Sequence, residues 1–252
     1  MTSRRILLHI CCAPCATTPI RRLQDSGYDV LGYFYNPNIH PEKEYYQRLL
    51  EVQRLCRLWQ ISLELGEYDW DRWQAEVRGL ESEPEAGRRC PVCFRFRLQA
   101  TAELALARNV PEITTTLTLS PRKRAEIINL IGQEVCAATG DEEGENAIRF
   151  YPADWKKQDG HKQSLEVSRQ LNLYRQDYCG CRYSLAQREE RRRQSLFAPK
   201  PELAPPAKHP SPTHETKVAE PLPGPTDRAR WELTPLERKQ RRDKKPKPWA
   251  RR

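Results

Sequence analysis

Arg5-Ile6-Leu7-Leu8-His9-Ile10-Cys11-Cys12-Ala13-Pro14-Cys15 is the stretch on which the fold turns. Residues 5–10 carry an apolar run of the length a buried strand needs. Pro14 stands where a helix can begin, because the first helical turn has no use for the N–H that proline lacks. The spacing predicts a helix over residues 14–25. A buried strand turning tightly into a helix is the opening half of a parallel α/β unit.

The alternation continues outward from there. Residues 29–35 read as a second strand, and 41–59 as an amphipathic helix with Tyr45, Leu49, Val52, Leu55 and Leu58 on one side. A short third strand over 61–65 follows. A helical segment over 91–108 leads to the β-branched run 113–119, the next strand in the alternation. A helix over 121–138 comes after it, with Ala125, Ile128, Ile131 and Val135 at helical spacing. Residues 160–171 and 182–193 are further helices. This order predicts an α/β fold, a parallel sheet covered by helices. Such sheets bind ligands beyond the carboxyl ends of their strands, and the first strand runs straight into Cys11.

The chain of 252 residues carries a net charge of +9, with 38% hydrophobic and 31% charged residues. No run of 18 apolar residues exists, so no membrane span is expected. The apolar run 6–8 behind Arg4 and Arg5 stops at His9, too short for a signal peptide. We expect a cytoplasmic protein. Residues 197–252 hold 14 of the 43 basic and 7 of the 34 acidic residues, and 12 of the 21 prolines, so most of the basic excess lies there. Few bulky apolar residues interrupt that segment, which reads as a Pro-rich, basic, disordered tail. Its alternatives are a solubilising extension and an electrostatic arm for RNA phosphate. The division expected is therefore a catalytic domain over 1–196 and a tail over 197–252.

Nine cysteines in a cytoplasmic chain are not disulfide staples, because that compartment keeps thiols reduced. Seven fall in three close groups: Cys11, Cys12 and Cys15; Cys90 and Cys93; Cys179 and Cys181. The first group lies at a helix N-terminus, where unpaired amides stabilise thiolates. Alone it fits a metal half-site, a thioredoxin-like Cys12/Cys15 pair, or buried thiols. The two-residue gap between Cys90 and Cys93 lets adjacent turns offer both sulfurs to one metal. Gly180 permits the tight curvature between Cys179 and Cys181. Three groups together point to a metal centre. Seven thiolates exceed one zinc site and suit a 4Fe–4S cluster with ligands to spare for a second metal. Cys56 and Cys136 lie in amphipathic helices and read as core thiols.

Several motifs, in order, carry a family resemblance: residues 8–15, the run Phe34-Tyr35-Asn36-Pro37-Asn38-Ile39-His40-Pro41, Cys90-Pro91-Val92-Cys93, residues 115–121, Asp154-Trp155-Lys156-Lys157 with Gly160, and residues 173–181. The chain from about residue 4 to 193 resembles the cobalamin-independent epoxyqueuosine reductase family, QueH. The resemblance implies a Rossmann-like domain holding a 4Fe–4S cluster beside a single metal, iron by expectation. It also implies the last step of queuosine synthesis, two-electron removal of the epoxide oxygen from epoxyqueuosine at the tRNA wobble position. Carried over by motif, Cys11, Cys12, Cys90 and Cys93 lie near the cluster, and Cys15, Cys179 and Cys181 near the second metal.

The expected partners are tRNA carrying epoxyqueuosine and an electron donor such as a ferredoxin or flavodoxin. His9, Asp154, Lys156 and Tyr178 are the candidate proton sources. Asn36, Asn38 and His40 shape either the nucleoside pocket or merely a turn, and Tyr35 and Trp155 stack on a base or fill the core. Lys156 and Lys157 are a solvated pair or hold phosphate. Rival functions are an ATP-using tRNA sulfur-transferase, a thiol–disulfide oxidoreductase and a zinc-stabilised RNA-binding module. The first needs a glycine-rich loop after the first strand, and Cys11-Cys12-Ala13-Pro14-Cys15 stands there instead.

Overall fold

The computed structural model describes residues 4–141, 144 and 147–197, so the expected tail lies outside the described residues. Five strands form one parallel sheet in the order β3-β2-β1-β4-β5. They are β1 (Arg4–His9), β2 (Tyr28–Phe34), β3 (Ser62–Leu65), β4 (Glu112–Thr115) and β5 (Arg149–Phe150). The sequence order reverses between β1 and β4. That switch point opens a crevice at the carboxyl edge, the place where parallel sheets bind ligands.

Strand alternation sends side chains to two cores. Ile6, Leu8 and Ile10 join one cluster, with Ile20 and Leu23 of α1 (Ala13–Asp25) and Val52 and Leu55 of α2 (Glu42–Trp59). Val167 of α6 (Gly160–Gln170) packs there too. Leu7 faces the opposite cluster, with Leu98 of α4 (Arg89–Ala107) and Ile128 and Val135 of α5 (Ala125–Thr139). Each buried Leu or Ile contributes about 1.5–3 kcal/mol. Two-sided burial explains why β1 reads as a continuous apolar run rather than an alternating one. Cys56 sits in the first core and Cys136 in the second, and burial pushes each thiol up to about 12.

Several boundaries differ from the sequence reading. The run 113–119 leaves the sheet after Thr115 and closes into a 3-10 turn, Thr116–Leu119. The Thr115 hydroxyl accepts from the Leu117 amide at 3.1 Å, a local bond that competes with strand extension. Helix α5 starts at Ala125 rather than 121 because Ser120–Lys123 makes a turn, Lys123 N–H donating to the Ser120 oxygen at 3.1 Å. Helix α3 (Trp70–Glu76) and strand β5 were not anticipated. Asp69 accepting from the Arg72 amide at 3.2 Å is the capping signal that marks α3. Helix α7 (Arg182–Phe197) completes the described chain. Among the described residues no helix is long and apolar enough to cross a membrane.

Candidate metal centre

The site is built where β1, β2 and β4 end. Cys12 holds an extended conformation at the cap of α1, with Pro14 in the first turn. This geometry points Cys11, Cys12 and Cys15 at one another, and their sulfurs all lie within 4.8 Å. Those of Cys11 and Cys12 are 3.9 Å apart. The Thr116 hydroxyl donates to the Cys11 sulfur at 3.1 Å and accepts from its amide at 3.0 Å, so the 3-10 turn holds the first cysteine. Gln176 Nε2 donates to the Cys12 sulfur at 3.0 Å.

Of the other four cysteines Cys179 lines the same cavity, and among the described residues only Cys11, Cys12 and Cys15 stand within ligand distance of one another. Cys93 and Cys181 share a small apolar cluster with Trp73 and Val77. Cys90 and Cys179 line one narrow cleft, and Cys179 also lines the main pocket with Cys11 and Cys15. Cys181 stands at the start of α7, where the Ser184 amide reaches its sulfur at 3.4 Å. All three sequence groups therefore meet at one end of the sheet.

Buried cations hold them there. Arg97, 2% exposed, donates through Nη1 to Asn36 Oδ1 at 3.3 Å and faces Cys93, Cys179, Cys11 and Cys90. Its Nη2 has no hydrogen-bond partner among the described residues. Lys123 lines the pocket and faces Cys179, Cys11 and Cys15. Arg48, also 2% exposed, donates to the backbone oxygens of Cys179 at 2.9 Å and Tyr178 at 3.3 Å, and pairs with Glu44 at 2.8 Å.

Buried cations require anions nearby, because an unpaired charge in low dielectric is costly. Glu44 answers Arg48, and Cys11, held well below its ordinary range, is the thiol that answers the others, whereas burial pushes Cys90 up to about 11 and raises Cys93. Without a metal the Cys11, Cys12 and Cys15 thiols compete. Hydrogen bonds from the Cys12 and Cys15 thiols hold Cys11 well below the usual range, while Cys12 is pushed up to about 12 and Cys15 well above its ordinary value, in each case first by bonding to Cys11. One thiolate forms at the expense of its neighbours. A soft cation that binds several thiolates at once removes that conflict, so the donor set fits a thiolate-bound metal. A thioredoxin-like role for Cys12 and Cys15 fits poorly, since neither is an activated thiolate.

The pocket beside the sulfurs has a volume of about 230 Å³. Asn38 Oδ1 and Gln176 Oε1, both from residues that line it, are buried without a hydrogen-bond partner among the described residues. Tyr178 lines it as well, with its hydroxyl donating to the His40 oxygen at 2.6 Å. The loop 36–40 belongs to the site: Asn36 Nδ2 donates to the Ile10 oxygen at 2.9 Å, and the His40 amide to the Gly180 oxygen at 2.8 Å.

Three of the candidate proton sources stand elsewhere. Lys156 pairs with Asp154 at 2.8 Å and donates to the backbone oxygens of Thr118 at 3.0 Å and Lys123 at 3.3 Å. Neither residue lines the pocket; together they clamp the segment that carries Lys123 into it. His9 lies beneath the site, fully buried, with Nδ1 at 2.8 Å from the Thr115 hydroxyl and Nε2 at 3.1 Å from the Tyr35 oxygen. The carbonyl needs a donor, so Nε2 carries the proton and Nδ1 accepts. Burial, then Arg97, lowers His9 to about 3, so it is a neutral strut between strand ends. Tyr35 stacks between Tyr33 and Phe96, and Trp155 packs on Tyr151 with Nε1 on the Thr115 oxygen at 2.9 Å. Both fill the core.

Sequence reasoning missed Arg48, Arg97, Lys123, Thr116 and Gln176. Arg48 did leave a signal, for it interrupts the buried stripe of Tyr45, Val52 and Leu55. Arg97 does the same between Phe94 and Thr101. A charge on a buried helical face needs a partner, and here the partners are Glu44 and loop carbonyls for Arg48, and Asn36, the Cys93 oxygen and the nearby thiols for Arg97.

A parallel α/β sheet whose carboxyl edge gathers thiols around buried cations defines a metal-dependent redox enzyme. The chain belongs to the epoxyqueuosine reductase QueH family, whose profile matches residues 6–187. It is 37% identical over 181 residues to epoxyqueuosine reductase QueH of Histophilus somni, covering 72% of each chain. To the protein of the same name from Haemophilus influenzae it is 36% identical over 196 residues, 76% of this chain and 78% of the relative. The Thermotoga maritima relative is 32% identical over 189 residues, 74% of this chain and 93% of its own.

Proposed function

We propose that the chain is an epoxyqueuosine reductase that acts on tRNA in the cytoplasm. The reaction breaks both epoxide C–O bonds, consumes two electrons and two protons, and leaves an alkene and water. The observation that carries this reading is the meeting of Cys11, Cys15 and Cys179 with Arg97 and Lys123 at one pocket, with Cys90 in the adjoining cleft, in a chain of this family.

On this reading Cys11, Cys12, Cys90 and Cys93 hold a 4Fe–4S cluster, and Cys15, Cys179 and Cys181 hold a single iron. The division rests on the family motifs; Arg97 and Lys123 each face both Cys11 and Cys179, so their charges serve the two sets alike. When bound, the two groups supply single electrons and a Lewis acid for the epoxide oxygen.

The protein's own residues do the rest. Arg48 fixes the Cys179 loop, and Arg97 and Lys123 balance thiolate charge. Asn38 and Gln176 offer unpaired acceptors to the nucleoside. Tyr178 lines the pocket and holds a proton at Oη, bonded to the His40 oxygen, and is the proton source this reading favours. Arg122 and Arg175 at the rim suit tRNA phosphate. A small acidic electron donor of the ferredoxin or flavodoxin class completes the reaction.

The test is metal analysis of protein purified without oxygen. Brown protein with iron and acid-labile sulfide supports the reading; colourless protein holding only zinc sinks it.

A further inference from the structure

The pocket wall carries two carboxylates, Glu85 and Asp177. Asp177 is committed, at 3.3 Å to Arg188 and 2.6 Å to Arg192. Glu85 is not. Its nearest cation is Arg122 at 3.8 Å, beyond hydrogen-bond length, and that arginine is 57% exposed whereas Glu85 is 15% exposed. The backbone around Glu85 is fixed, since its amide donates to Gln187 Oε1 of α7 at 3.1 Å. Glu85 lines both the main pocket and the narrow cleft that it shares with Cys90 and Cys179. A mostly enclosed carboxylate thus faces the thiol site with no hydrogen bond to its oxygens among the described residues. Of the cations around it, Arg48 is paired with Glu44 and loop carbonyls and Arg97 with Asn36 and the Cys93 oxygen, while Arg122 and Arg175 stand exposed at the rim.

Epoxyqueuosine carries a charge of the complementary sign. Its epoxide-bearing cyclopentane ring is bonded to a secondary alkylamine nitrogen, which is protonated at neutral pH, and a methylene joins that nitrogen to a 7-deazaguanine. We infer that Glu85 receives this ammonium and thereby sets the epoxide-bearing ring against the cysteine site. Glu85 is then a specificity-determining residue, exchanging a long contact with an exposed arginine for a charge-assisted hydrogen bond. The inference rests on the reductase reading and adds to it the group that distinguishes a 7-aminomethyl-linked substrate from an ordinary purine.

The experiment compares metal-loaded, anaerobic wild type with Glu85→Gln and Glu85→Asp on tRNA bearing epoxyqueuosine. Queuosine nucleoside, which has the amine, and 7-deazaguanosine, which lacks it, serve as competitors. Glu85→Gln should raise KM about 10- to 100-fold with kcat nearly unchanged, the size expected for a lost charged hydrogen bond made equally in ground and transition states. Iron content should not change, and Glu85→Asp should recover most of the loss. Wild type should prefer queuosine to 7-deazaguanosine as an inhibitor, and Glu85→Gln should lose that preference. A collapse of kcat at constant KM, a loss of iron or of folded protein, or no change at all would each overturn the inference. Failure of the wild type in the same assay would overturn the reductase reading beneath it.

Discussion

The Nη1 of Arg48 donates to the backbone oxygen of Cys179 at 2.9 Å, joining the second helix to a cysteine loop 131 residues further along the chain. The same guanidinium pairs with Glu44 and lies over the Tyr178 ring, 5.1 Å from its centroid. One buried side chain therefore orients the loop that presents Cys179 and Cys181. Arg48→Ala should cost about 3 kcal/mol, because it leaves Glu44 uncompensated in a largely buried position. The same variant should bind less iron than wild type. Denaturant unfolding and metal analysis check both, and wild-type stability with full iron would contradict the role given to Arg48.

The cysteines should separate cleanly by place. Cys90→Ala or Cys93→Ala should bleach the visible absorption of anaerobically prepared protein and lower its iron and sulfide. Cys136→Ala, on the buried face of α5, should leave the colour intact. Equal bleaching by all three would mean that loss of folding, rather than of a ligand, is being read.

Gly180 is held at a φ of +138°, and a Cβ there would meet Arg48 Nη1 at 3.1 Å, Ile39 Cγ1 at 3.1 Å and Asn38 Nδ2 at 3.2 Å. Gly180→Ala should thus displace the Cys179–Cys181 loop from three neighbours at once, with a backbone penalty of about 1–3 kcal/mol. We expect reduced iron and reduced activity in folded protein. Circular dichroism alongside iron analysis reads the outcome, and a fully loaded variant would contradict it.

Much of this was legible beforehand, for a physical reason. Two-sided burial makes β1 a plain apolar run, and close cysteine spacing survives folding because it is local. Contacts between distant residues leave no such trace. Asp154 and Lys156 entered as proton sources from one of the motifs that carry the family resemblance. In the folded chain they pin a loop by its carbonyl oxygens. His9 read as a proton source because it adjoins Cys11, yet strand alternation turns it away from the pocket and into the sheet. Lys123 was invisible because the cysteines it faces lie on other elements.

Removing residues 200–252 should leave the chemistry intact and weaken tRNA binding only at low salt, since that segment holds most of the basic excess. The salt dependence of tRNA affinity for full-length and shortened protein measures this. A loss of turnover at saturating tRNA would contradict it.

The most direct measurement incubates the iron-loaded enzyme, without oxygen and with a strong reductant, on tRNA bearing epoxyqueuosine, then digests the tRNA and weighs its nucleosides. The account predicts that the modified nucleoside becomes lighter by one oxygen and is identical to queuosine. A nucleoside that keeps its epoxide oxygen, in the presence of a fully loaded metal site, would contradict it.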